Sequence, residues 1–275
     1  MNENRKKAAH RDKRSTAEIV KELLQMRRQN EYGAALNVLH ARGSKSEFEA
    51  GAMLCKGASA KERILGADIL AQLGWSDNSF LRESVNILIP LLADKNPSVA
   101  CAAGIALGHR HDPRAIEPAL TLSHDKNTDA RFGAVWALSG HNDPKALAGL
   151  IPLSRDPDPD VRNWATFGLA QLTELDTQEL RDALLARLED ENPEIRGEAL
   201  IGLAIRGDTR MIPALEKELA RDFEGLWAID AARHLALPRL SPLLLDLKKR
   251  LAPQDLSAFG EDLDQAIAAC HPPKT

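Results

Sequence analysis

The sequence predicts an all-α fold, a right-handed α-solenoid of about seven to eight stacked helical hairpins. Three observations predict it. Ala and Leu dominate an apolar content of 44% in which aromatics contribute only 4%. A block of a little over thirty residues recurs along the chain, with Leu in the same slot of each copy. Asp- and Pro-led turns divide the copies into paired helices.

Composition comes first. Ala and Leu are strong helix formers, whereas strands favour β-branched and aromatic residues. The 275 residues carry a net charge of -4. No apolar run reaches the 18 or so residues a membrane helix needs, so no membrane span is expected. Cys55, Cys101 and Cys270 are odd in number and far apart, which argues against a disulfide framework and for a reducing, cytoplasmic setting. Residues 1–14 hold six Lys/Arg against two acids, leaving -8 for the remainder. Such a charged, apolar-poor leader reads as a disordered tail; a nucleic-acid or membrane-surface arm is the sharper alternative. An acidic body repels a phosphate backbone, so nucleic acid is not the expected partner.

The repeat is read from PDPDVRNWATFGLA and NPEIRGEALIGLA. With Arg as position zero, equivalent anchors are Tyr32, Arg63, Ala100, Arg131, Arg162, Arg196 and Ala228, separated by 31, 37, 31, 31, 34 and 32 residues. At plus three stand Ala35, Gly66, Ala103, Ala134, Ala165, Ala199 and Ala231. At plus seven stand Leu39, Leu70, Leu107, Leu138, Leu169, Leu203 and Leu235. Offsets of three and seven share one face of an α-helix. The small residue admits a neighbouring helix and the Leu fills the space beside it. A weaker eighth copy begins at Gly260, with Leu263 and Ile267 in the slots.

A second helix fits between successive anchors. Asp112-Pro113, Asp143-Pro144 and Asp208-Thr209 each lie twelve residues beyond one. An Asp side chain accepts a free backbone N–H at a helix start, and Pro suits the first helical position. In the copy anchored at Arg162 the expected cap is Asp176, completed by Glu179 as a capping box. Ser15 with Glu18 marks the first helix. One hairpin cannot bury its own apolar face, so the copies must stack. The expected layout is a basic leader over 1–14, one continuous solenoid over 15–271 and a tail over 272–275.

Asp94, Asp125, Asp156 and Asp190 precede their anchors by six, and Pro97, Pro159 and Pro193 by three. The pattern Asp-x-(Asn/Asp)-Pro-x-(Val/Ile)-Arg-x-x-Ala resembles the second helix of a HEAT repeat, in the branch called PBS-lyase-like. The resemblance implies a structural ladder of Asp125, Asp156, Asp190, Arg131, Arg162 and Arg196, broken where Ala100 replaces the Arg. It also implies that the second helices line the concave side. Residues 156–208 look like a group of small bacterial HEAT-repeat proteins, some encoded near Rhs-type polymorphic toxin genes, which suggests toxin neutralisation.

If minus one, plus three and plus seven face the core, then plus one, plus two, plus five and plus nine face outward. Those slots hold Phe132 and Trp136 in one copy and Asn163, Trp164 and Phe167 in the next, with Ile105 and Ile201 extending the plus-five row. Four of the chain's ten Phe and Trp residues fall here; Trp227 and Phe223 stand apart. Packing between repeats is the plain reading. A protein partner on the concave face is the functional one, because aromatic anchors dominate many interfaces. A base-stacking pocket is a third.

Few residues suggest chemistry. His109, His111 and Asp112, with His141 and Asp143 one repeat on, could ligate a metal, but helix capping explains the acids more simply. Cys101 reads as a small buried hydrophobe. Deoxyhypusine hydroxylase resembles this architecture, but its His-Glu pairs are absent here. Phycocyanobilin lyase subunits share only the repeat consensus. HEAT-like alkylpurine DNA glycosylases are the enzyme alternative, with Trp136, Trp164 and Arg162 cast in a cleft. The expectation is a non-catalytic protein-binding scaffold without metal or cofactor.

Overall fold

A computed structural model describes residues 12–26, 29–74, 79–221 and 225–271. The leader up to residue 11, Phe223 and the tail over 272–275 lie outside the described residues. Among those described there are sixteen helices and no strand. The chain divides into two compact units, Met1–His141 and Asn142–Thr275.

The first unit holds four hairpins: α1 (Thr16–Gln25) with α2 (Gln29–Arg42), α3 (Lys45–Leu54) with α4 (Ala60–Ala71), α5 (Leu81–Leu91) with α6 (Pro97–Arg110), and α7 (Ile116–Leu122) with α8 (Thr128–Leu138). The second holds four more: α9 (Pro144–Leu153) with α10 (Pro159–Gln171), α11 (Gln178–Leu185) with α12 (Pro193–Ile205), α13 (Ile212–Ala220) with α14 (Trp227–Leu235), and α15 (Ser241–Arg250) with α16 (Pro253–Ala269). The eighth copy is thus a full hairpin. Its Leu263 is fully buried and Ile267 nearly so.

Local chemistry accounts for the starts. Ser15, Ser44 and Ser59 form capping boxes with Glu18, Glu47 and Glu62. Asn96, Asn127, Asp158 and Asn192, each four residues before an anchor, cap α6, α8, α10 and α12. The acid two residues earlier accepts the cap's own N–H, as Asp94 does from Asn96 and Asp190 from Asn192. Asp112, Asp143 and Asp208 cap the first helices as the spacing predicts. Asp176 does not: Thr177 caps α11, while Asp176 is drawn to Arg181 at 2.6 Å. Residues 12–14, assigned by composition to the disordered leader, are ordered. Arg14 pairs with Asp12 and Glu22, and Arg42 donates to the Asp12 carbonyl at 2.7 Å.

Stacking buries the seam. Leu39, Leu70, Leu107, Leu138, Leu169 and Leu203 are fully buried, whereas Leu235, the last residue of α14, is half-buried. Within each unit the second helices pack on one another along their length, α4 on α6 on α8 and α10 on α12 on α14. Backbones nearly touch. A Cβ on Gly104 would lie 2.2 Å from the Gly133 carbonyl oxygen, so any side chain at Gly104 forces α6 and α8 apart.

His40 sits in this core, 6% exposed, with Nε2 donating to the Asp68 carbonyl at 2.8 Å. Burial pushes its pKa down to about 4, against that hydrogen bond and with help from the charges of Arg110 and His109. An unfolded His titrates near ~6.5. The unfolded chain therefore holds the extra proton between these values. His40's contribution is complete above the unfolded pKa and declines as pH falls towards the folded one, at up to ~1.4 kcal/mol per unit. His40→Gln should lose that part of the slope in urea unfolding between pH 6.5 and 4; an unchanged slope would refute the assignment.

Candidate functional site

The Asp–Arg motif closes on itself and on its neighbour. In the first unit, Arg63 donates to the Asp94 carboxylate at 2.7 Å and to the carbonyls of Gly57 and Ala58. In the second, Arg162 reaches Asp190 at 2.8 Å and the Asp156 carbonyl at 2.7 Å. Arg131 binds the carbonyls of Asp125 and Lys126. At Ala100 no guanidinium is present, and Asp125 is exposed, unlike buried Asp156. Arg196 takes the Asp190 carbonyl and, from across the next hairpin, Glu218 at 3.0 Å. Arg63, Asp94 and Glu218 thus join the ladder residues named from the sequence. Six residues before Ala228 stands Asp222, which lies outside the described residues; Glu218 of α13 is the described acid that pairs with Arg196.

Burial alone would raise the Asp190 carboxyl. Hydrogen bonds from Arg162 and the Asn192 N–H, with the charges of Arg162 and Arg187, hold it below the usual carboxylate range instead. Asp94 is lowered in the same way by Arg63 and the Asn96 N–H.

The outward-facing residues belong to different units. Ile105 of α6 and Phe132 and Trp136 of α8 lie in the first and are half-buried. The rings of His109 and Trp136 are 5.5 Å apart. Asn163, Trp164 and Phe167 of α10 lie in the second. Trp164 is 38% exposed and meets Phe167 edge-on, with centroids 5.8 Å apart. Asn163 is half-buried and donates to Glu194 of α12 at 3.1 Å. Ile201 is a correction: it is 7% exposed and part of the core. It lies one turn beyond Gly197 on α12, where the missing side chain lets α14 approach so closely that a Cβ would fall 2.3 Å from the Trp227 ring. Trp227 itself is held there by donating to Glu198 at 3.2 Å.

Sequence reasoning missed the acids on this face. Asp160 of α10 and Glu194 and Glu198 of α12 are set by the same helical spacing as the rings. Gln171 donates to Glu198 at 2.5 Å. Burial and the nearby Glu194 charge raise the Glu198 carboxyl, against the hydrogen bonds from Gln171 and Trp227. The i, i+4 spacing of Glu194 and Glu198 was the available signal.

The other candidates for chemistry are engaged structurally. Asp112 pairs with Arg114 at 2.7 Å. The His111 ring stacks on His141 at 4.4 Å, and His109 Nε2 lies 2.9 Å from Gln72 Nε2. Among the described residues no three His, Cys, Asp or Glu side chains converge as a metal site. Burial, with the charges of Asp129 and Asp68, pushes the Cys101 thiol up to about 11, so it stays protonated near neutrality. No helix among the described residues is long and apolar enough to cross a membrane.

Stacked helical hairpins with an Asp–Arg ladder define a helical-repeat solenoid. The family model for HEAT repeats matches residues 85–170 and 148–236, more than half of the chain, and the chain belongs to that family. The crystal structure of YibA from Escherichia coli superposes with a TM-score of 0.73 at 26% identity, over 97% of this chain and 95% of that one. Compared as sequences, YibA proteins of two Escherichia coli strains are 37% identical to this chain over 82 residues, only 30% of this chain and 29% of their own length. A structure of Kap95p bound to RanGDP shares the fold, with a TM-score of 0.56 at 15% identity over 91% of this chain and 41% of that one.

Proposed function

We propose that this chain is a non-catalytic scaffold that binds another protein on its second-helix faces, the concave side in HEAT-repeat architecture. One observation carries the reading. Trp164 keeps 38% of its surface exposed on a helix whose seam residues Ala165 and Leu169 are fully buried. A large ring left accessible beside a tightly packed seam is what an interface anchor requires. The fold has precedent for such use, since Kap95p binds RanGDP. Neutralisation of a toxin is one biological form this could take.

Arg162, the cleft cation of the glycosylase alternative, is tied to Asp190 and to the Asp156 carbonyl. Asp160, Glu194 and Glu198 would repel DNA phosphates. The geometry therefore gives the glycosylase reading no support.

Tagged full-length protein, captured from cells beside Trp164→Ala, tests the scaffold. Wild type should recover a stoichiometric protein. The variant should lose it while keeping its helical circular dichroism. Equal recovery by both would overturn the assignment of this face.

A further inference from the structure

We propose that the α10–α12 face of the second unit recognises an arginine- or lysine-bearing segment of a protein partner, seating one cationic side chain against Trp164 between Asp160 and Glu194. This rests on the scaffold reading and adds the chemistry of the partner.

The two helices present matched stripes. On α10, positions 160, 163, 164, 167 and 171 share a face, and on α12 so do 194, 198 and 205. Hydrogen bonds from Asn163 to Glu194 and from Gln171 to Glu198 tie the stripes together. Every donor to these carboxylates is neutral: the amides of Asn163 and Gln171 and the Trp227 indole. The cations of the same helices, Arg162 and Arg196, point into the ladder, paired with Asp190 and Glu218. Asp160, Glu194 and Glu198 therefore remain without a cation among the described residues.

Charge complementarity then selects the occupant. A guanidinium or ammonium offers several donors and no acceptor, and it is attracted to an indole face. Trp164 lies one helical turn beyond Asp160, so one cation can meet ring and carboxylate together. At the other end of the face Ile205 is 50% exposed. Eleven residues of helix separate the levels of Glu194 and Ile205, a rise of ~16 Å. An extended chain covers that in about five residues. The fitting segment carries a basic residue with an apolar one about five positions away.

The probe is a fluorescent peptide with Arg and Leu at that separation, beside the same peptide with citrulline, the neutral isostere, in place of Arg. Fluorescence anisotropy with the full chain should show the Arg peptide binding about tenfold more tightly than the citrulline peptide. Asp160→Asn/Glu194→Gln should remove that difference and the salt dependence, with the thermal midpoint unchanged. No binding, equal binding of both peptides, or full retention by the double variant would overturn the proposal. The scaffold reading is tested separately. A captured protein lost with Trp164→Ala but kept by Asp160→Asn/Glu194→Gln would leave the scaffold standing and reject the basic segment.

Discussion

Arg162→Met lowers the unfolding free energy by about 3 kcal/mol, read from urea unfolding at neutral pH. The Arg162 and Asp190 side chains are only 18% and 6% exposed. Removing the guanidinium leaves a carboxylate in a poorly solvated place and frees the Asp156 and Pro157 carbonyls it also satisfies. Arg187, 3.3 Å from Asp190, and the Asn192 N–H compensate in part, which keeps the loss near the lower end for a broken buried pair. The folded Asp190 carboxyl lies below its unfolded value. Its contribution is therefore present above the unfolded pKa and lost as pH falls through the folded one, so the variant should differ less from wild type in acid. Arg162→Met/Asp190→Leu should recover much of the stability, because matched apolar replacements are often neutral. A single-variant loss under ~1 kcal/mol would mark the pair as an ordinary surface ion pair.

Leu169→Ala costs about 2–5 kcal/mol. Leu169 is fully buried on α10, which packs against α9 of its own hairpin and α12 of the next. In a stacked-repeat architecture each repeat is stabilised mainly by its neighbours, so a void at this seam weakens the packing of α10 on α12. Because backbones already approach closely on this side, as at Gly202 against Ala170, the helices cannot collapse into the gap. A loss below ~1 kcal/mol would mean that the plus-seven row is not the seam.

The parts of this fold legible in the sequence are those set by short-range rules. Leu at plus seven and Ala at plus three follow from helical geometry, and six of the seven leucines are fully buried. Caps such as Asp112, Asp143 and Asp208 act within two residues of themselves, so spacing finds them. Misses come from contacts that spacing does not encode. Asp176 was the expected cap until Arg181 claimed it and left Thr177 the role. Ile201 looked like part of the outward plus-five row. It is buried, one turn beyond Gly197, where Trp227 at the start of α14 closes down on α12, an approach that helical spacing does not encode. Phe132, Trp136 and Phe167 are neither core nor surface, a degree of burial that periodicity alone does not distinguish. The acids beside Trp164 each look like an ordinary helix-face charge in the sequence; hydrogen bonds from Asn163 and Gln171 bring Glu194 and Glu198 to the face of α10 that carries Asp160 and Trp164.

The thermal midpoints of Trp164→Ala and Leu169→Ala, measured side by side on the full chain, test most directly whether the ring serves a partner rather than the core. Trp164→Ala should cost about 1 kcal/mol or less and Leu169→Ala several times more. Equal falls would make Trp164 a packing residue and contradict its assignment as the anchor of a binding face.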